Sequence, residues 1–280
     1  TRFTFQSWSD GGLPTHQITG QLAGTTYTAT LVKAHRLDVS IRVAGGGSGT
    51  VSYTPPEDSA GTFVPSGTSV TLTGTPGPSL VFAGWTGDTT AASATLVLPM
   101  LRPYAVLANF TPPLVITSSD PRPGAIMAKA YVDSLQATGG GLGKHWSIVG
   151  GTLPPGLVLQ VGGGITGVPT QTGVYTFTAR VSYLSLVQQQ QFSITVTAPA
   201  LAVSAVLAQL LTGTSSLTSE DIQYLDLIGN RSCRPGIGTA NCFDVGDFLA
   251  WVQATGVQPA AALVEQPPRR AAAPRRGGRP

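Results

Sequence analysis

The sequence predicts a mainly β protein: tandem small β modules, then a β-sandwich, with a small helical module at the C-terminal end. Three observations carry this expectation. Apolar residues alternate with polar ones along most of the chain, in short runs bounded by glycine and proline. An aromatic motif, FQSW at residues 5–8, returns as FAGW at residues 82–85. After Pro199 the apolar period changes from that of a strand to that of a helix.

The composition agrees. Charged residues make up 10% of the 280, against about 25% in an average soluble domain, while 35 glycines and 22 prolines supply turns. Such a mixture suits strands on a secreted or cell-surface protein. The net charge of +3 is not spread over a face, because five arginines and one glutamate put +4 into residues 257–280 and leave −1 for the rest. A basic tail on a near-neutral body is not the footprint of a nucleic-acid-binding domain, so no nucleic-acid partner is expected. The chain opens on Thr1 with no charged-then-apolar segment before it, as expected of a fragment or processed product. Its most apolar helical stretch, LAVSAVLAQLL at residues 201–211, is shorter than the roughly 20 residues that span a bilayer. No transmembrane segment is expected.

Residues 1–34 contain Phe5, Trp8, Asp10 and then TYTATL, which align with Phe82, Trp85, Asp88 and then AVLANF. They form the C-terminal half of a module whose complete copy occupies residues 35–111. In the complete copy Leu37, Val39, Ile41 and Val43 alternate with polar residues, as do Val70 with Leu72 and Leu96 with Leu98. GGGSG, PPEDSAG and TPGP separate these runs. The order of a strand pair, TSVTLTG, FAGWTGD and a closing strand resembles the bacterial internalin B-repeat-like family, a divergent bacterial repeat. That resemblance implies short β modules without chemistry of their own, serving as stalks, spacers or adhesive units.

Residues 112–198 follow a TPP linker whose shortness favours a stiff junction. Tyr175, Phe177, Ala179, Val181 and Tyr183 share one strand face, Phe192, Ile194 and Val196 another, and Trp146 with Ile148 a third. Pro154, Pro155 and Gly156 are placed to turn the chain. KHWSIVGGTLPPGLVL followed by GGITGVPTQTGVYTFTARV resembles the immunoglobulin-like family of bacterial surface proteins. The resemblance implies a β-sandwich related to immunoglobulin and cadherin domains.

Residues 199–256 read as three helices. Ala202, Val206, Gln209 and Leu210 lie on the first; Thr218 with Asp221 makes a capping-box start for the second, with Ile222, Leu225 and Ile228 on one face. Asp244 and Asp247 start the third, which carries Phe248, Leu249, Trp251 and Val252 and ends at Gly256. LDLIGNR and FDVGDFLAWVQATG resemble dockerin-like modules, although SCRPGIGTANC interrupts the pattern. That resemblance implies a calcium-type loop and a cohesin-like partner. The Pro-, Ala- and Arg-rich tail at 257–280 has little to bury and is expected to be disordered.

Candidate sites are few. Asn230, Asn241, Asp244 and Asp247 are the oxygen cluster with calcium-loop character, but the two aspartates are equally placed to cap a helix, and no cofactor is required on either reading. Cys233 and Cys242 bracket the inserted loop and are expected to form a disulfide, which fits an oxidising compartment. No CxxC pair supports zinc. Trp8, Trp85 and Trp146 are either core plugs or aromatics that face a ligand such as a sugar ring. Asp10 and Asp88 suit turn backbone groups. In the sandwich Asp120 and Asp133 are the only carboxylates, too few for calcium. His16, His35 and His145 are scattered, and no nucleophile elbow, P-loop, dinucleotide fingerprint or HExxH motif occurs.

The expected function is therefore a non-catalytic extracellular segment acting as stalk and adhesion module, with a surface glycan or protein as its ligand. The alternative is an accessory carbohydrate-binding or docking region of a secreted hydrolase.

Overall fold

The computed structural model describes residues 1–18, 20, 24–54, 63–229 and 243–257. The expected mainly β architecture is found, with three short helices at the end.

The repeat region opens with β1 (Arg2–Trp8) and β2 (Ala29–Val43), followed by β3 (Gly49–Thr54), β4 (Phe63–Pro65), β5 (Ser69–Pro76), β6 (Val81–Gly87), β7 (Thr95–Pro99) and β8 (Tyr104–Thr111). One sheet runs β1-β2-β8-β6, with β4 also paired to β2, and a second runs β3-β5-β7. The long β2 belongs to both copies. Its first part pairs antiparallel with β1, and its second part, Leu37–Val43, pairs parallel with β8. The two sheets bury Leu37, Val70, Leu72, Trp85, Leu98 and Phe110 between them. Alternation decides which residues those are, because successive side chains of a strand point to opposite faces.

The two copies also share a local geometry that their alignment implies. In the complete copy β6 pairs with β8 as Phe82↔Phe110, Gly84↔Asn109 and Trp85↔Ala108, with Ala83 bulged. In the first copy β1 pairs with β2 as Phe5↔Leu31, Ser7↔Thr30 and Trp8↔Ala29, with Gln6 bulged. A bulge inserts one unpaired residue and re-aims its neighbours. Here it brings each aromatic pair together, with ring centroids 5.4 Å apart for Phe82 and Trp85 and 5.7 Å for Phe5 and Trp8.

The sandwich contains β9 (Val115–Ile116), β10 (Ala125–Ile126), β11 (Tyr131–Ser134), β12 (Ala137–Thr138), β13 (His145–Gly151), β14 (Leu157–Leu159), β15 (Gly164–Gly167), β16 (Gly173–Tyr183) and β17 (Leu186–Thr197). One sheet runs β10-β17-β16-β13, a second β11-β15-β14, and β9 pairs with β12. Phe177, Ala179, Val181, Phe192, Ile194 and Val196 of the first sheet are buried with Tyr131, Leu157 and Ile165 of the second. The turn placed at Pro154–Gly156 forms: Leu157 N–H donates to the Pro154 carbonyl at 3.0 Å and Gly156 takes φ +94°. That is the type II arrangement, which needs a positive φ at its third residue.

The helices are α1 (Val203–Thr212), α2 (Ser219–Ile228) and α3 (Val245–Thr255). Thr218 and Asp221 form a reciprocal capping box at the start of α2, and Asp244 and Asp247 another at the start of α3. Gly213 and Gly256 end α1 and α3 in the left-handed conformation. Val206, Tyr224, Leu225 and Trp251 continue the buried cluster of the sandwich into this unit. Lys129 of the sandwich lies 3.4 Å from Asp221. No described helix is long and apolar enough to cross a membrane.

Candidate functional site

Two places bring chemistry together: the junction between the repeat and the sandwich, and the open end of the first repeat copy.

At the junction, Thr111 is buried and Pro112 accepts a 3.0 Å hydrogen bond from Gly140 N–H. Beside it, the hairpin joining β16 to β17 reaches the β6 bulge. Ser185 N–H and Ser185 Oγ both donate to the Ala83 carbonyl, at 3.1 and 2.7 Å. The bulge leaves this carbonyl outside the regular ladder, so it is available to another module. It is held in place from behind, where Asn109 Nδ2 donates to the Gly84 carbonyl and Thr86 Oγ1, each at 3.0 Å. Gly84 has φ +117°, and a Cβ there would stand 3.3 Å from Ser185 Oγ and 3.1 Å from the Ala91 carbonyl. Leu184, next to the clasp, has φ +49°. Such a value costs a non-glycine residue on the order of 1–3 kcal/mol, which the surrounding contacts must offset. Nothing in LSL at 184–186 signals a turn, so sequence reasoning missed Leu184 and Ser185.

At the open end, Asp10 Oδ1 accepts from Gly12 N–H at 3.0 Å, the turn role expected of it. Asp10 Oδ2 lies 2.8 Å from His16 Nε2, and His16 Nδ1 lies 2.8 Å from the Leu13 carbonyl. Both ring nitrogens therefore face acceptors, an arrangement that only the imidazolium satisfies completely. The Asp10 hydrogen bond, then the Leu13 carbonyl, raise the His16 pKa. The Gly12 N–H, then His16, lower that of Asp10. Trp8 stacks edge-on to His16 at 6.1 Å between centroids, and its Nε1 donates to the Pro14 carbonyl at 3.3 Å. Asp88 plays the corresponding turn role in the second copy, accepting from Ala105 N–H at 2.8 Å.

The three candidate ligand-facing tryptophans part company. Trp85 and Trp146 are 1% and 4% exposed and belong to the two cores, so they present no face to a ligand. For Trp85 the reason is that β5 and β7 supply Val70, Leu72, Leu96 and Leu98 around it. Trp8 alone of the three is half-buried.

The remaining candidates are structural where they are described. Asp244 Oδ1 accepts from Gly246 and Asp247 N–H at 2.7 and 3.2 Å, and Asp247 Oδ2 accepts from Asp244 N–H at 3.0 Å. Asn230, Asn241, Cys233 and Cys242 lie outside the described residues, as does the tail from 258. Among the described residues no group of three or more His, Cys, Asp or Glu side chains could hold a metal ion. In the sandwich, Asp133 is taken by Arg122 through bonds of 2.8 and 2.7 Å, and Asp120 accepts from Ser193. His35 is buried in β2, and burial, then the charge of Lys33, lower its pKa.

Comparison with known proteins agrees with this division. Residues 39–113 match the family described as "Divergent InlB B-repeat domain", and residues 105–197 match the one described as "Putative Ig domain". No curated protein matches the chain. Among solved structures, a "putative alpha-galactosidase" from Bacteroides fragilis is 27% identical over 30% of this chain, which spans 17% of that protein's length, with a TM-score of 0.27. The cadherin domains 1–4 of protocadherin gamma B7 are 12% identical over 62% of this chain and 55% of theirs, at 0.27. An endo-fucoidan hydrolase of glycoside hydrolase family 107 is 17% identical over 57% of this chain and 28% of its own, at 0.29. At such scores the likenesses support no functional conclusion. What the family matches do establish is a divergent InlB B-repeat domain followed by an immunoglobulin-type domain.

Proposed function

We propose that this chain is a non-catalytic extracellular segment in which the β modules act as a semi-rigid stalk with adhesive surfaces. The observation that carries the reading is the Ser185–Ala83 clasp beside a short, hydrogen-bonded Pro-Pro linker. Modules that only share a tether tumble independently, whereas a linker without slack and a second point of attachment fix their relative orientation. The absence of a catalytic role is part of the proposal. It is supported by the histidines, since His16 is committed to Asp10 and Leu13, His35 is buried, and His145 is exposed on β13.

Small-angle X-ray scattering of the chain tests the stalk. A single rigid arrangement of repeat and sandwich should reproduce the profile. A profile that requires repeat and sandwich to move independently would refute the reading.

A further inference from the structure

The first repeat copy keeps the aromatic pair, the bulge and the turn aspartate of the second, yet leaves its tryptophan open. Trp8 forms one wall of a cleft of about 230 Å³ completed by Pro14, Thr15, His16, Ile18 and Tyr27.

Three properties of this cleft select a ligand class. Its volume is below the roughly 300 Å³ at which sites for drug-sized ligands begin, so it suits one small ring. Its walls combine apolar surface from Trp8, Tyr27, Pro14 and Ile18 with the hydroxyls of Thr15 and Tyr27. Its charge is balanced, because His16 is paired with Asp10 at 2.8 Å. A cationic ligand would meet the imidazolium in the wall, and an anion would meet the carboxylate behind it. What remains is a neutral ring with an apolar C–H face and a hydroxyl-bearing edge. The platform is also preorganised, since the Trp8 indole is tied to the Pro14 carbonyl and braced by His16.

We propose that the cleft between Trp8, His16 and Tyr27 binds a single neutral pyranose unit of a glycan, stacked against the indole. This deepens, and rests on, the adhesive part of the function proposed above. The stalk part is read by scattering, so either can fail without the other.

The test is an NMR titration of the chain with the methyl glycosides of glucose, galactose, mannose and N-acetylglucosamine, following the four indole N–H signals. At least one glycoside is expected to shift Trp8 and leave Trp85, Trp146 and Trp251 in place. Trp8→Ala should abolish the response. Because that change can also loosen the first copy, Tyr27→Phe serves as the milder variant; losing one neutral hydrogen bond should weaken binding about three- to tenfold. If no glycoside moves Trp8, or if both variants respond like the unaltered chain, the proposal is wrong. A response of Trp8 to tetramethylammonium or to a proline-rich peptide but to no glycoside would likewise overturn it.

Discussion

Ser185 Oγ donates a 2.7 Å hydrogen bond to the carbonyl of Ala83, a residue 102 positions earlier in the chain and in a different module. Both partners sit on features that strand ladders cannot use: a hairpin tip and a bulged residue. Ser185→Pro would remove the N–H and the hydroxyl together. We expect separate rotational correlation times for repeat and sandwich in ¹⁵N relaxation, with the stability of each module little changed. Ser185→Ala, which keeps the N–H bond, should weaken the junction by only about 0.5–1.5 kcal/mol.

The two repeat tryptophans should differ sharply in cost. Trp85→Ala leaves a cavity between two sheets and is expected to destabilise the complete repeat by about 3–5 kcal/mol. Trp8→Ala removes a half-buried ring and should cost about 1 kcal/mol, near the centre of the distribution for single substitutions. Denaturant unfolding of the two variants decides this; equal costs would contradict the difference in burial.

Arg122 and Asp133 form a nearly buried pair whose side chains are 10% and 11% exposed. Burial pushes the Asp133 pKa up, but the Arg122 hydrogen bonds outweigh it and hold the group below the ordinary carboxylate value. The same burial, with the Asp133 charge adding to it, lifts the Tyr131 hydroxyl to about 12. Arg122→Met would strand a buried carboxylate and is expected to cost about 3–5 kcal/mol. Because the folded pKa is depressed, the stabilisation from Asp133 is complete above its unfolded pKa and disappears as pH falls through the folded one. Acid unfolding of Asp133→Asn should therefore show a weaker pH dependence than that of the unaltered chain.

His16 has the opposite sign. Its folded pKa is raised, so the order it gives the 9–16 turn is fully present below the unfolded value near 6.5 and is lost as pH rises through the folded value. An NMR titration should place the His16 ring above 6.5, and Asp10→Asn should bring it down. The Trp8 indole signal should broaden or shift in the same pH window, because the imidazole braces it.

The sequence alone determined what depends on near neighbours. Period-two alternation specified which faces of β5, β7, β16 and β17 enter the cores, since a pleated strand has only two faces. Thr218–Asp221 and Asp244–Asp247 specified two helix starts, because a capping box closes within one turn. Asp10, Asp88 and Pro154–Gly156 were legible as turn residues for the same local reason. Tertiary structure decided the rest. Trp8 and Trp85 stand in matching motifs, and their different exposure comes from β5 and β7, strands that cover one and not the other. The Ala83 clasp left no trace in the sequence because its acceptor is a backbone carbonyl, which every residue carries. Its donor sits in a hairpin without glycine, asparagine or aspartate. Local chemistry chose the elements; which surfaces stayed open depended on contacts between residues far apart in the chain.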